Sequence, residues 1–222
     1  MSDAQTPPLL GWRAPEVEEE LPALRLLSVE AQVGREQSLT GGSPPDVEGR
    51  LRALSNHFRG PRGVSIRREP VPSAYRVFFR HIGLDPDTER TPIEAAVLER
   101  MIHGGFLSGG LLADVLLIAL LDTGVPVWAL DADSVSGRLG IRPSREGERL
   151  GSSSKAQLLP DGRLVVADES VALAILFGEL GDGHRPQVKT SRLLLFSVQV
   201  AGVPTIYVEE ALWACRTSLE QP

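Results

Sequence analysis

Cysteine is nearly absent from this sequence, and long apolar runs are missing. The single cysteine among 222 residues, Cys215, excludes a disulfide within the chain and fits a reducing compartment. The longest apolar run, 111–121, is interrupted by Asp114 and is too short to cross a bilayer. The first residues show no basic segment followed by an apolar one, so no secretory signal is predicted. We therefore expect a cytoplasmic protein without a membrane partner.

Motifs for phosphate binding, metal binding and acyl-enzyme chemistry are missing or incomplete. Neither a P-loop nor a dinucleotide-binding glycine fingerprint occurs. The four histidines are far apart in sequence and show no metal-ligand spacing, so no metal and no other cofactor is predicted. The stretch 152–155, SSSK, matches the S-x-x-K motif of serine acyl enzymes. Its serine does not open a predicted helix, so we interpret the stretch as a flexible loop.

The charge is distributed unevenly along the chain. Hydrophobic residues make up 42% of the sequence, enough for a sizeable core, and the net charge is −6. Between Asp46 and Arg80, eight arginines accompany three acidic residues, which gives this segment a net charge of +5. A basic surface of this kind can hold phosphate groups whatever the net charge of the chain is. The alternative interpretation is a solvated, arginine-rich helix face.

The pattern predicts one domain preceded by an arm. Residues 1–22 are polar, acidic and contain proline, and we expect a flexible acidic arm there. Residues 23–222 show no convincing boundary and no repeat, and are assigned to a single domain. Thr91, Pro92 and Glu94 form a capping-box sequence, which is the clearest helix start in the chain.

Hydrophobic periodicity predicts an α+β fold, in which N-terminal helices pack on a mixed or antiparallel β-sheet system. The helices are expected to start near Val47, Ser73, Thr91, Ser108 and Glu209. The strands are expected at 27–33, 64–66, 125–130, 139–142, 164–166, 171–177, 193–200 and 206–208.

An ordered series of short motifs in the second half is similar to a known family. The segment GVPVWALDAD (124–133) is followed by GRLGIR (137–142), AILFGELG (174–181) and VKT (188–190). This series resembles the B3/B4 editing domain of the bacterial phenylalanyl-tRNA synthetase beta subunit, which carries G-x-P-x-H-A-F-D-x-D and G-x-I-x-x-R. Upstream, AYRVFFRHIG (74–83) is similar to free-standing members of that family. The resemblance covers about residues 45–215.

The resemblance implies that the chain binds tRNA or aminoacyl-tRNA and hydrolyses mischarged aminoacyl-tRNA in trans. The synthetase's other domains are not in this sequence, so it would not charge tRNA. Two features depart from the family. Its polar T-N pair aligns with Leu116 and Leu117, and its histidine aligns with Trp128. The aligned pocket is therefore more apolar than the family's.

Candidate site residues follow from the alignment and from loop position. The expected substrate-binding residues are Leu116, Leu117, Trp128, Asp131, Gly181 and Gly183. His184 lies in a polar loop after an apolar strand and is the candidate general base, with Thr190 as a second catalytic residue. The candidate tRNA contacts are Arg76, Arg80 and Lys189.

Each of these candidates also has a purely structural interpretation. Trp128 would then be a core residue, Asp131 would cap a turn, and His184 would be an ordinary loop histidine. Arg76 and Arg80 would pair with Glu94 or Asp85. The sequence thus leaves open whether the chain is an enzyme, an aminoacyl-tRNA deacylase, or a non-catalytic module that binds RNA or a small molecule.

Overall fold

Two four-stranded sheets and six α-helices make up the part of the chain that the computed structural model describes, residues 7–34, 37–60, 63, 65–153 and 156–221. The helices are α1 (Pro15–Glu20), α2 (Pro45–His57), α3 (Pro70–His81), α4 (Pro92–His103), α5 (Leu111–Thr123) and α6 (Thr205–Glu220). The strands are β1 (Leu9–Leu10), β2 (Trp12–Arg13), β3 (Arg25–Gln32), β4 (Val127–Asp131), β5 (Gly140–Pro143), β6 (Leu164–Ala167), β7 (Ala172–Ile175) and β8 (Arg192–Gln199). The predicted α+β domain is confirmed.

The first sheet has the strand order β1-β3-β8-β4 and is antiparallel throughout. Its two central strands, β3 and β8, pair along their whole length, from Arg25 opposite Gln199 to Gln32 opposite Arg192. Both strands are largely buried, as their apolar sequences predict. Because β4 is an edge strand, its free side is open to a loop from elsewhere in the chain.

The second sheet has the order β2-β5-β6-β7 and is mixed, since β2 runs parallel to β5 while the other pairs are antiparallel. It contributes Ile141, Val166 and Leu173 to the same buried cluster that holds Phe196 of the first sheet. The two sheets therefore share one hydrophobic core.

The segment expected to be a flexible arm contributes a strand to each sheet. Residues 1–6 lie outside the described residues, but β1 pairs with β3 and β2 pairs with β5. Gly11 alone separates β1 from β2, and a Cβ atom there would lie 2.7 Å from the Leu139 carbonyl oxygen. Val17 on the following helix α1 is buried. Glycine at position 11 thus permits the close crossing between the two sheets.

Helices α5 and α6 pack against each other, and α6 also covers β3 and β8. Helix α5 buries Leu111, Val115 and Ala119, as its nearly all-apolar sequence predicts. Cys215 on α6 is fully buried, and burial raises the pKa of its thiol to about 12, which makes it a structural rather than a reactive thiol. No helix in the described ranges is both long and apolar enough to cross a bilayer.

Asp114, in the first turn of α5, is buried and holds the segment that leads into the helix. Its carboxylate accepts hydrogen bonds from the Ser43 hydroxyl at 2.6 Å and the Ser108 hydroxyl at 2.5 Å. The Gly109 amide donates to its other oxygen at 2.8 Å. A buried carboxylate requires such partners, and here they join the loop before α2 to the loop before α5.

Three sequence-based predictions of local structure are wrong, and a proline at the first helical position explains one of them. The expected strand 64–66 is replaced by a 3-10 helix at Ile66–Arg68, while residue 64 lies outside the described residues. The expected strand 206–208 is the first turn of α6, which follows Pro204. Helix α3 starts at Pro70 rather than at Ser73. Proline pre-sets the helical φ angle at the first position, which accounts for the start of α3 at Pro70. Pro204 precedes α6 as its extended N-cap, so this reason does not apply there.

An ion pair between Arg142 and Glu148 fastens the turn that follows β5. Arg142 is buried, and its Nη1 lies 2.7 Å from Glu148 Oε2. The Arg145 amide donates to the same oxygen at 2.8 Å. Burial raises the pKa of Glu148, but the hydrogen bonds from Arg142 and from the Arg145 amide outweigh it, and the pKa lies below its usual value.

The Glu148→Gln variant is expected to be about 1–2 kcal/mol less stable than the wild type at pH 7, because the charge-assisted bonds are lost. A carboxyl with a lowered folded-state pKa stabilises the protein above its unfolded pKa, and this contribution disappears as the pH falls through the folded pKa. Urea unfolding at pH 7, 5 and 3 should therefore show a difference that shrinks toward pH 3. The exposed neighbour Glu146→Gln serves as the control, and an unchanged difference at pH 3 would contradict the prediction.

Candidate functional site

Four polar residues meet where β4 ends, and we call them the His184 cluster: Asp131, Ser134, His184 and Thr190. The Asp131 amide donates to the His184 carbonyl at 3.0 Å, so the loop after Gly181 pairs with the free edge of β4. The Thr190 hydroxyl donates to Asp131 Oδ2 at 2.6 Å. Asp131 Oδ1 accepts from the Asp133 amide at 3.1 Å, which makes Asp131 an Asx-type cap of the short helix that follows. Three candidate site residues of the sequence analysis, Asp131, Thr190 and His184, therefore lie next to one another in the structure.

The ring of His184 is oriented by Ser134. The Ser134 hydroxyl donates to the Asp131 carbonyl oxygen at 2.7 Å and lies 3.1 Å from His184 Nδ1. We assign the serine proton to the shorter contact with Asp131, and in this assignment the serine oxygen accepts from Nδ1–H. The proton of the neutral imidazole therefore sits on Nδ1, and the lone pair sits on Nε2.

His184 Nε2 is buried and has no hydrogen-bond partner among the described residues. His184 as a whole is only 4% exposed. Buried polar atoms are nearly always paired, so this unpaired nitrogen calls for an explanation. The side-chain oxygens of Gln37 and Gln199 are the other such atoms among the described residues. A water or a hydroxyl at Nε2 would be positioned to give up a proton to the ring.

Two glycines shape the loop that carries His184. The Gly181 amide donates to the Leu173 carbonyl at 2.7 Å, so this amide is occupied within the fold. A Cβ atom on Gly181 would lie 2.8 Å from the Cα of Gly151, and Gly183 has a left-handed φ of 87°. Both glycines allow the loop to pack closely beside residue 151.

Trp128 lies apart from the His184 cluster. Its indole stacks on Phe196, with ring centroids 5.6 Å apart, and touches Phe177 at 5.8 Å. Residues 128 and 131 are three apart on one strand, so their side chains project from opposite faces of the sheet. Among the described residues, the ring of Trp128 contacts Phe177 and Phe196, and the ring of His184 contacts Ser134.

Phe177 is the centre of an aromatic cluster on the Trp128 side of the first sheet. Besides Trp128, it contacts the rings of Tyr75, Phe78 and Phe79 on α3 at centroid distances of 5.4–5.7 Å. Phe177 has a positive φ of 60°, which is unfavourable for an aromatic residue. The ring contacts hold this backbone conformation in place.

Leu116 and Leu117, which neighbour each other on α5, pack in different places. Leu116 lies against the main core. Leu117 lies against a smaller cluster that includes Phe58 and Val97. The aligned pocket positions of the sequence analysis are therefore divided between two apolar clusters.

A model of the B3/4 domain family matches residues 74–204, more than half of the chain and a range that contains the whole His184 cluster. The chain belongs to the B3/4 domain family.

Relatives of this B3/4 domain include phenylalanine–tRNA ligase beta subunits. The similar subunit from Cutibacterium acnes is 35% identical over 157 residues, which cover 64% of this chain and 18% of the relative. The one from Xanthomonas euvesicatoria pv. vesicatoria is 38% identical over 108 residues, or 44% of this chain and 12% of the relative. The Neisseria meningitidis subunit is 40% identical over 78 residues, or 35% and 10%. The match thus spans less than a fifth of each of these relatives.

The candidate RNA-contacting residues of the B3/4 domain differ in their exposure to solvent. Arg76 is buried, and its guanidinium lies 2.5 Å from Glu94 and 2.7 Å from Asp87. Glu94 is a partner that the structural interpretation named, but the second partner is Asp87 rather than Asp85, and the arginine is buried rather than on the surface. Arg80, on the same helix, and Lys189, in the loop of His184, are exposed.

Ser134 is the residue that sequence reasoning missed. An aspartate followed three residues later by serine at a strand end is typical of a capping turn, and this spacing would have indicated it. In the described part of the B3/4 domain, no group of three or more His, Cys, Asp or Glu side chains is placed to hold a metal ion. Ser154 and Lys155 of the S-x-x-K stretch lie outside the described residues.

Proposed function

We propose that this B3/4 domain acts in the cytoplasm as a tRNA-linked deacylase that binds the aminoacylated 3′ end and hydrolyses a wrongly attached amino acid in trans. The names of its relatives support a tRNA ligand. The single observation that carries the hydrolytic part is the buried, unpartnered lone pair on His184 Nε2.

Because Nε2 is closed to solvent in the structure, the proposed reaction requires the loop of His184 to open. His184 Nε2 then takes a proton from a water molecule whose oxygen attacks the ester carbonyl. The resulting tetrahedral intermediate collapses, and the bond between the acyl carbon and the ribose oxygen breaks. The imidazolium then returns the proton to that ribose oxygen, which leaves as a hydroxyl. The products are a free amino acid and uncharged tRNA.

The other members of the His184 cluster would support this step without touching the substrate. Ser134 accepts from Nδ1–H and keeps the lone pair on Nε2. Asp131, at the end of β4, holds the loop of His184 at Thr190 through their 2.6 Å hydrogen bond. They are positioning residues in this proposal. Arg80 and Lys189 are the exposed cations offered to the phosphate backbone.

A second candidate function is a non-catalytic module that binds RNA or a small molecule. The observation that favours it is the aromatic cluster around Phe177, because the packed Trp128 stands where the family resemblance places a histidine. If the ester could reach only that side of the sheet, His184 would not meet it. Binding without hydrolysis is the outcome that this alternative predicts.

A deacylation time course with a panel of aminoacyl-tRNAs tests the proposal. The His184→Ala variant is expected to lower the rate constant at least about 100-fold, the usual contribution of a general base. The His103→Ala variant is the matched control, since His103 is exposed on α4 and bonds only within its own helix turn.

The outcomes separate the two functions. Rapid loss of one ester, slowed by His184→Ala but not by His103→Ala, would support the deacylase and name its substrate. Tight tRNA binding by a folded protein that leaves every ester intact would establish the binding module instead. Hydrolysis that is equally fast in His184→Ala would remove His184 from the mechanism.

A further inference from the structure

A cavity of about 380 Å³ opens between β1, β3, β8 and the segment that follows β4. None of the candidate residues of the sequence analysis lines it. Its apolar walls include Leu9, Leu10, Leu139 and Leu194. Leu9 and Leu10 are 61% and 53% exposed, so they form an open apolar rim rather than part of the sealed core. A volume of this size is in the range of small-molecule sites.

The polar part of this cavity carries two cations and two anions. Arg192 lies between two carboxylates, with Nη1 at 2.9 Å from Asp133 Oδ1 and Nη2 at 3.3 Å from Glu30 Oε2. Each carboxylate therefore uses one oxygen toward Arg192, and its second oxygen has no hydrogen-bond partner among the described residues. Arg138 also lines the cavity, and one nitrogen of its guanidinium donates to the Leu10 carbonyl.

The charge balance excludes simple ions as the best ligands. An inorganic anion would meet the Glu30 and Asp133 carboxylates, and a metal cation would meet Arg138 and Arg192. A molecule that carries both a negative and a positive charge can pair with the arginines and with the carboxylates at the same time. The apolar rim adds a requirement for a hydrocarbon group.

We infer that this cavity binds a small zwitterion with an apolar side chain, the chemistry of a free aliphatic α-amino acid. Its carboxylate would accept hydrogen bonds from Arg138, and its ammonium group would donate to the free oxygens of Glu30 and Asp133. Its side chain would lie against Leu9 and Leu139. Charge-assisted bonds at both ends make the two charges jointly necessary.

This site is distinct from the His184 cluster, although the two share one turn of backbone. Ser134 contacts His184, whereas its neighbour Asp133 lines the cavity. No side chain belongs to both sites. The inference therefore does not depend on the proposed deacylase activity.

Trp12 provides a local probe for the cavity. Its indole N–H donates to the Arg138 carbonyl at 2.8 Å, and the chain contains only three tryptophans. In a ¹H–¹⁵N spectrum of the full chain, titration with leucine is expected to shift the Trp12 indole signal saturably. The signal of Trp213 on α6 should stay in place and acts as the internal control.

The choice of ligands tests the need for both charges. Isoamylamine lacks the carboxylate of leucine, and 4-methylpentanoate lacks the ammonium group. We expect both to bind at least about tenfold more weakly than leucine, as the loss of one charge-assisted bond implies. Glycine should also bind more weakly, because it lacks the hydrocarbon group. A response to 4-methylpentanoate equal to that of leucine would overturn the inference in favour of an anion site.

Variants of cavity residues, compared with a control variant outside the cavity, test whether leucine binds in the cavity. Glu30→Gln and Arg138→Gln are each expected to weaken leucine binding about tenfold. Arg25→Gln, at the far end of β3 from Glu30, should leave it unchanged. Glu30 is exposed, so its isosteric variant keeps the fold even if Arg138→Gln loosens β1. An absent Trp12 shift in the wild type, or unchanged binding by both cavity variants, would overturn the inference.

Discussion

The Asp114→Ala variant is expected to lose about 3 kcal/mol of unfolding free energy, because three donors lose a buried charged acceptor at once. The donors are the hydroxyls of Ser43 and Ser108 and the amide of Gly109. Ser43 is itself buried, so water cannot fully replace its lost partner. Chemical denaturation monitored by circular dichroism measures the change.

Asp122→Ala is the matched control, since it removes the same side chain from the same helix. Asp122 is exposed, and its bond with Arg50 is a surface ion pair, for which a loss of at most about 1 kcal/mol is expected. Similar losses in the two variants would contradict the role given to Asp114. Asp114→Asn should fall between them, because its amide oxygen still accepts.

Removing the ring of Phe177 is expected to lower the free energy of unfolding nearly as much as the Asp114→Ala substitution does. The Phe177→Ala variant should lose about 3 kcal/mol, because the cavity it leaves borders four aromatic rings. Alanine also retains the penalty of the positive φ angle while losing the contacts that offset it. Thermal and urea unfolding both measure this loss.

Phe106→Ala provides the comparison for Phe177. Phe106 is partly buried, as Phe177 is, but it has one aromatic neighbour, Phe58, at a centroid distance of 6.1 Å. We expect a loss of about 1–2 kcal/mol there. If the two variants lost equal stability, the aromatic cluster would not hold the backbone at residue 177.

Local sequence patterns predicted the elements whose structure depends on interactions within a few residues along the chain. Alternation located β3, and Thr91 with Pro92 located the start of α4. The family resemblance placed Asp131 and Thr190 in one series, and the structure joins them by a hydrogen bond. Such predictions succeed because periodicity, capping and turn chemistry act within a few residues.

The errors concern features that depend on distant partners. The sequence of residues 9–13 is too short to indicate strands, and these residues become strands only because β3 and β5 offer them edges. Trp128 aligns with a pocket residue, but its orientation depends on Phe177 and Phe196. Ser134 gains its role from His184, which lies fifty residues away. None of these partners can be recognised from periodicity alone.

The pairing of β3 with β8 has a consequence for the order in which the protein folds. The register joins residue 25 to residue 199 and residue 32 to residue 192, so the central pair of the first sheet unites opposite ends of the chain. Non-local pairing of this kind slows folding, because chain entropy must be lost before the contacts form. During synthesis, β3 emerges long before β8 can pair with it, and the apolar α5 emerges before α6 can cover it. The unfinished chain therefore exposes an unpaired strand edge, and we expect it to need chaperone protection until β8 and α6 have been made.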